Sequence, residues 1–325
     1  MATPPVAARR PAFLKAFVVT MRPYLLFVSG AAGLVGLSFL PDPVTGRVVL
    51  AFVSLFLSYG LGQALTDCFQ IDTDSISAPY RPLVRGTISR RQVLTASLVG
   101  LSLVVLVLAY LNPIILGLGL LAVAGLLSYT RLKRTWWGGP PWNSWIVALL
   151  PLMGRLVDRG YDLAAFARPI GPQATAFLAA VLAVFFGYMN FVIMGYFKDI
   201  SADRSAGYNT FPVVFGWRAA AVYGDATAAL SAALAVRAIA IVGWNGWSLG
   251  MFLVGVGLQG WAQIAMHGNR DEHRVGGPIA NGVRALVLYC LAVVAANRIE
   301  WMPALVVFYA LFELALGTRP ERGQV

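Results

Sequence analysis

Charge is the scarcest thing in this sequence. Only 12% of its 325 residues are Asp, Glu, Lys or Arg, whereas 58% are hydrophobic and mean hydropathy is +0.72. Soluble domains carry roughly 25% charged residues, so a soluble globular protein is excluded and a polytopic membrane protein is indicated. Cysteine is nearly absent. Cys68 and Cys290 lie far apart, which removes a disulfide framework and a thiolate metal pattern. The two histidines, His267 and His273, sit in or beside one basic loop and read as structural or solvated. The opening "MATPPVAARRPAFLK" lacks an apolar core followed by a small-residue cleavage site, so no cleaved signal peptide is expected. A net charge of +11 would point to nucleic acid in a soluble protein. In a membrane protein it belongs to basic loops, and no nucleic-acid partner is expected.

What is present is a succession of apolar runs. A helix needs roughly 20 apolar residues to cross a bilayer. Candidate spans are 23–40, 48–66, 92–110, 113–130, 143–158, 174–197, 219–241, 247–267, 279–297 and 301–317. The last two could form one broken element, so the expectation is an all-α bundle of nine or ten transmembrane helices. The fifth is weakest, with Arg155 inside it, read as snorkelling to the interface. Trp136, Trp137 and Trp142 flank it as an interfacial belt. One domain covers 1–325, with short tails at about 1–14 and 318–325.

Basic residues alternate from loop to loop. Arg9, Arg10 and Lys15 precede the first span. Arg81, Arg85, Arg90 and Arg91 follow the second, and Arg131, Lys133 and Arg134 the fourth. Arg204 and Arg218 follow the sixth, and Arg270 and Arg274 the eighth. The intervening loops carry only Arg47, Arg159 and Arg168. The positive-inside rule then puts the N-terminus and the basic loops in the cytoplasm. Arg319 and Arg322 bring the tail to the same side if there are ten spans.

Two acidic clusters stand at span ends on that side. The first is "TDCFQIDTDSISAPYRPLVRG", 66–86. At 100° per residue, Gln63, Asp67, Gln70 and Asp74 share one narrow helix face, flanked by Thr66. Asp72 would point the opposite way on a regular helix, unless the approach of Pro79 turns it into a loop. The second is "YFKDISADRSAGYNTFPVVFG", 196–216, where Asp199 and Asp203 are four apart and Lys198 and Arg204 adjoin them. Carboxylates without His or Cys partners suit a hard cation such as Mg²⁺, which takes one or two carboxylates together with substrate phosphate. Arg and Lys serve the same phosphates. A polar mouth on an apolar bundle therefore points to an isoprenyl diphosphate, whose allylic C–O bond ionises when the departing diphosphate is stabilised.

The two motifs resemble those of the UbiA superfamily of intramembrane prenyltransferases, and the similarity runs over nearly the whole chain. "MRPYLLFVSG" (21–30) is similar to that family's first-helix entry, and "SYTRLKR" (128–134) to a segment carrying Tyr and basic residues. The family's first motif is Asn-Asp-x-x-Asp-x-x-x-Asp followed by Arg-Pro-(Leu/Ile)-x-x-Gly. Here Thr66 and Gln70 replace the Asn and the middle Asp, and "RPLVRG" follows. The second motif matches Asp-x-x-x-Asp leading into Asp-Arg-x-x-Gly-x-x-Thr-x-Pro.

The resemblance implies a bundle around a central cavity, with Mg²⁺ held by Asp67, Asp74, Asp199 and Asp203 and with Asp72 as a possible compensating ligand. It implies diphosphate binding by Lys198, Arg81 and Lys133 or Arg134, with Gln63 and Gln70 on the same face. Tyr129 and Tyr196 are implied as headgroup-orienting residues and Asn143 as a cavity residue. The implied partners are an isoprenyl diphosphate, a lipophilic or aromatic acceptor, and the lipid bilayer. Two other outcomes stay open: a terpene cyclase, in which the chain's own double bonds capture the cation, and a non-catalytic membrane protein or transporter on the same fold.

Overall fold

The computed structural model describes residues 10–158, 171–268 and 270–318, with side chains from residue 13 onward. The tails beyond these limits, Arg9, Arg159, Arg168, Arg319, Arg322 and the side chain of Arg10 lie outside the described residues. Among the described residues thirteen α-helices follow one another: α1 Arg10–Met21, α2 Pro23–Ser38, α3 Thr45–Asp67, α4 Ile71–Ser77, α5 Arg90–Leu111, α6 Ile114–Lys133 and α7 Gly139–Leu156. After them come α8 Pro172–Tyr196, α9 Ile200–Ser205, α10 Phe211–Val242, α11 Gly246–Gly268, α12 Gly276–Asn297 and α13 Met302–Gly317. Among the described residues there is no strand. In lipid a helix satisfies every backbone polar group within its own segment, so an apolar chain of this kind has little alternative.

Among the described residues eight helices are long and apolar enough to cross a membrane, and α1 with α2, bent by 53°, form a ninth candidate. All ten expected spans are helical. The fifth, α7, falls short of the crossing standard because Pro140, Pro141, Asn143 and two tryptophans fill its first half and Arg155 its end. The last two spans are separate, divided by a short break at Arg298–Trp301. The Arg155 guanidinium lies over the rings of Phe177 (4.4 Å) and Phe39 (5.6 Å). The Trp142 indole N–H donates to the Gly125 carbonyl at 3.1 Å and ties α7 to α6.

Helix ends follow local chemistry. Ser89 and Gln92 form a reciprocal capping box that starts α5. Asn112, wholly buried, ends α5: its Oδ1 accepts from the Ile114 N–H at 3.0 Å and its Nδ2 donates to the Leu156 carbonyl at 2.7 Å. The interior is built by close approach of small residues, as expected where lipid and protein are equally apolar. The crossing of α2 and α7 is the tightest case. A Cβ at Gly36 would stand 2.0 Å from the Pro151 carbonyl oxygen, and one at Gly154 would stand 2.7 Å from that of Gly33. Helices α8 and α12 are buried on nearly all sides, with α3, α5, α6, α10, α11 and α13 presenting apolar faces outward. Between α2, α3, α5, α6, α7 and α8 a cavity is left, with α4 and residues 197–199 around its polar end.

Candidate active site

The cavity holds about 1300 Å³, its open mouth included. On α6 its lining runs from Gly119 to Lys133, about 21 Å at 1.5 Å per residue. The far end is apolar, with Leu55, Leu101, Leu108, Leu150 and Met153. The near end carries three acids, Asp67, Asp74 and Asp199, and four bases, Arg22, Arg81, Lys133 and Lys198.

The helix containing the first acidic cluster does not run on as a regular helix. α3 stops at Asp67, three residues intervene, and α4 begins at Ile71. Yet Gln63, Thr66, Asp67, Gln70 and Asp74 all line the cavity, because the break preserves their common side. Asp67 accepts from Gln63 Nε2 at 2.6 Å and is gripped by both oxygens from Arg22, at 2.9 and 3.0 Å. Arg81 pairs with Asp74 and reaches Asp67 at 3.9 Å. Burial pushes the Asp74 carboxyl above the usual carboxylate range, with Arg81 pulling the other way. Burial alone would lower Arg81, but Asp74, Asp67 and Asp199 outweigh it and raise its pKa. Arg81 thus feels acids from both motifs at once.

Lys133 is buried at the centre of the second motif. Its ammonium donates to Gln70 Oε1 at 3.1 Å, stands 3.6 Å from Asp203, and lies over the rings of Tyr196 (5.5 Å) and Tyr208 (5.6 Å). Gln70 therefore offers Lys133 a neutral oxygen at the position where the family resemblance leads one to expect a carboxylate. Asp203 does not line the cavity. It is fully buried behind Lys133, and neither carboxylate oxygen has a hydrogen-bond partner among the described residues. Asp199 and Lys198 do line the cavity, on the single turn of 3₁₀-helix that follows α8.

Two further expected residues fall elsewhere. Asp72 and Arg134 face away from the cavity: they meet at 3.4 Å, and the Tyr208 hydroxyl donates to Asp72 at 3.2 Å. Their outward place follows from helix geometry, since Asp72 stands two residues from Gln70 and from Asp74, and Arg134 one residue beyond Lys133 at the end of α6. Tyr129 and Tyr196 both line the cavity, with their hydroxyls 3.3 Å apart. Asn143 also lines it and donates to the Tyr188 hydroxyl at 3.3 Å. Tyr188 in turn meets the Tyr59 hydroxyl at 2.7 Å, so one polar thread crosses an otherwise apolar wall.

The residue that sequence reading missed is Arg22. It is the bend between α1 and α2, and the one non-glycine residue with positive φ (52°) among the described residues. Pro23 disfavours α geometry at the preceding position, which is why the chain breaks there. Strained backbone of this sort concentrates at functional sites. The signal was legible: a lone Arg before Pro inside an apolar entry segment.

Among the described residues no three acidic, Cys or His side chains converge as a preformed metal cluster. The carboxylates lining the cavity, with no Cys or His among its lining residues, fit a hard cation such as Mg²⁺.

Comparison with known proteins agrees with this geometry. The model of the UbiA prenyltransferase family matches residues 25–276. A digeranylgeranylglyceryl phosphate synthase of Natronomonas pharaonis is 31% identical over 224 residues, 67% of this chain and 76% of that protein. Its namesake from Halobacterium salinarum is 29% identical over 245 residues, 74% of this chain and 79% of that one. Among solved structures, the apo form of a UbiA homolog from Aeropyrum pernix superposes with a TM-score of 0.69 at 20% identity, over 88% of this chain and 98% of that chain. A UbiA homolog from Archaeoglobus fulgidus bound to GPP and Mg²⁺ gives 0.61 at 17% identity, over 86% and 99%. At those identities the likeness concerns the fold.

Proposed function

The chain belongs to the UbiA prenyltransferase family, and from that premise we propose that it transfers a prenyl group from an isoprenyl diphosphate to a lipophilic acceptor bearing a hydroxyl group. The observation that carries this reading is the cavity itself, whose lining along α6 extends about 21 Å from the charged end at Lys133 to the apolar end at Gly119. The diphosphate sits among Arg22, Arg81, Lys133 and Lys198, and the tail lies along Leu55, Leu101, Leu108 and Leu150. Mg²⁺ would be held by Asp67, Asp74 and Asp199, and it supplies positive charge to the departing diphosphate. The alcohol-type acceptor is supported by the names of the archaeal relatives. The basic loops support a mouth open to the cytoplasm.

The chain's own residues then act as follows. Arg22 and Arg81, whose carboxylate partners Asp67 and Asp74 would hold the cation, stand where they can donate to the phosphate oxygens. Lys133, held by Gln70 at 3.1 Å and Asp203 at 3.6 Å, presents its ammonium to the diphosphate. The allylic C–O bond breaks with both electrons leaving on the diphosphate oxygen. The resulting cation is held in a dry cavity whose nearest polar atoms are the Tyr59, Tyr188 and Asn143 groups. The acceptor oxygen forms the new C–O bond and gives up its proton to the released diphosphate, which leaves through the mouth.

The test is product analysis with a panel of isoprenyl diphosphates and Mg²⁺, with and without membrane extract from the source organism. Turnover that begins only when extract is added supports transfer. A cyclic hydrocarbon or terpene alcohol formed without acceptor replaces the reading by a cyclase. Binding of isoprenyl diphosphate that ignores Mg²⁺, without turnover under either condition, replaces it by a non-catalytic protein. Asp74→Ala and Asp199→Ala are each expected to abolish turnover in a bundle that still folds.

A further inference from the structure

A second recess, holding about 870 Å³ and open to the side, lies on the outward faces of α4 and α6, back to back with the central cavity. Its rim carries Arg90, Arg131 and Arg134. Asp72 is the one acid among its lining residues, and it is already bonded to Arg134 and to the Tyr208 hydroxyl. Arg131 is exposed and has no ion pair among the described residues, while Arg90 lies over the Phe69 ring at 5.1 Å. The recess is therefore positive by two charges. Its floor is apolar, made by Phe69, Ile71 and Leu127, and Leu127 remains 45% exposed on the side that faces lipid. At the wall, Thr130 is buried and its hydroxyl has no hydrogen-bond partner among the described residues. Arg90 opens α5 and Arg131 and Arg134 close α6, so the rim stands at the ends of two crossing helices, where water meets lipid.

We propose that this recess binds the phosphate headgroup of an anionic phospholipid, its acyl chain lying along Leu127. Guanidinium forks match phosphate oxygens in geometry and tolerate partial desolvation. Basic pockets between membrane helices at the headgroup level have the right chemistry for this class of ligand. The apolar floor and the lateral opening favour a lipid over a free phosphate, which would gain nothing from Phe69 or Leu127. The site is separate from the proposed prenyl transfer: Lys133, Gln70 and Tyr129 line the other side of the same two elements.

The experiment places the purified full chain in nanodiscs of phosphatidylcholine with a minor share of phosphatidylglycerol. Native mass spectrometry then counts the phosphatidylglycerol that stays bound. The double variant Arg90→Gln with Arg131→Gln is compared with Arg91→Gln, an exposed arginine outside the recess. Retention is expected to fall by about tenfold or more in the double variant, as for loss of a charged hydrogen bond. It should be unchanged in Arg91→Gln. Equal losses in both would assign the effect to diffuse surface charge and overturn the proposal, as would full retention by the double variant. Displacement of the lipid by millimolar inorganic phosphate would overturn the choice of a lipid. If the double variant melts without cooperativity, Arg131→Gln alone is read in its place, since that side chain supports no ion pair of the fold.

Discussion

Replacing Arg22 by glutamine separates the two things this side chain does. In the structure it donates two hydrogen bonds to Asp67, at 2.9 and 3.0 Å, and Asp67 is only 2% exposed. Removing one partner of a buried ion pair costs about 3–5 kcal/mol when the other is left alone. Asp67 is not left alone, because Gln63 stays at 2.6 Å and Arg81 at 3.9 Å, so the cost to folding falls at or below the lower bound. The cost to catalysis is of a different size. A preorganised donor aimed at developing charge in a dry site is worth about 2.7–4 kcal/mol, or two to three powers of ten in kcat/KM. Diphosphate release from geranylgeranyl diphosphate, Mg²⁺ and acceptor extract measures the second, and thermal melting in detergent the first. Arg22→Gly provides the internal control, since glycine relieves the left-handed backbone at φ 52° while losing the same guanidinium. The glycine variant should melt above the glutamine variant and turn over no faster. A folded Arg22→Gln enzyme within threefold of wild-type kcat/KM would refute the placement of Arg22 in the diphosphate cradle.

Three further outcomes are expected. Chelation of divalent cations should abolish turnover, with Mg²⁺ restoring it better than Ca²⁺, since the larger ion prefers six to eight oxygen ligands at longer distance; equal rescue by Ca²⁺ would count against a Mg²⁺ site. Leu108→Trp, which fills the far end of the cavity, should shift preference from geranylgeranyl toward geranyl diphosphate, read as the ratio of their kcat/KM values; an unchanged ratio would show that the tail does not reach that wall. Gly36→Ala should lower the melting temperature sharply. Its methyl group would meet a backbone carbonyl oxygen rather than a movable side chain, which puts the cost at or above the upper end of the usual 1–3 kcal/mol for overpacking. Wild-type melting would mean that α2 and α7 separate more readily than their packing implies.

The membrane class, the helical architecture and nearly every span boundary were legible in composition and hydropathy, because a bilayer demands long apolar segments and internally satisfied backbone wherever they occur. The acids at the mouth were legible as well, since Asp67, Asp74 and Asp199 stand at span ends where lipid would otherwise exclude them. What was not legible was which side of each element a residue would take once the helices broke. Asp72 stays on the side opposite Gln63 and Asp74, where regular helix geometry puts it, and no loop turns it back toward the cavity; Arg134, implied only by the family resemblance as an alternative to Lys133, faces outward with it, and the two meet at 3.4 Å.

The sequence by itself determined the chemistry available: oxygen ligands without sulfur or imidazole, a surplus of Arg and Lys near them, and an apolar interior able to take a hydrocarbon tail. Tertiary structure alone decided how that chemistry was paired. Arg22 reaches Asp67 across 45 residues and Lys133 reaches Gln70 across 63. Local pattern carries no information about contacts of that separation, which depend on how α2, α3 and α6 pack around one another. The physical reason is burial: charges removed from water must find partners, and only the packed bundle settles which ones lie within reach.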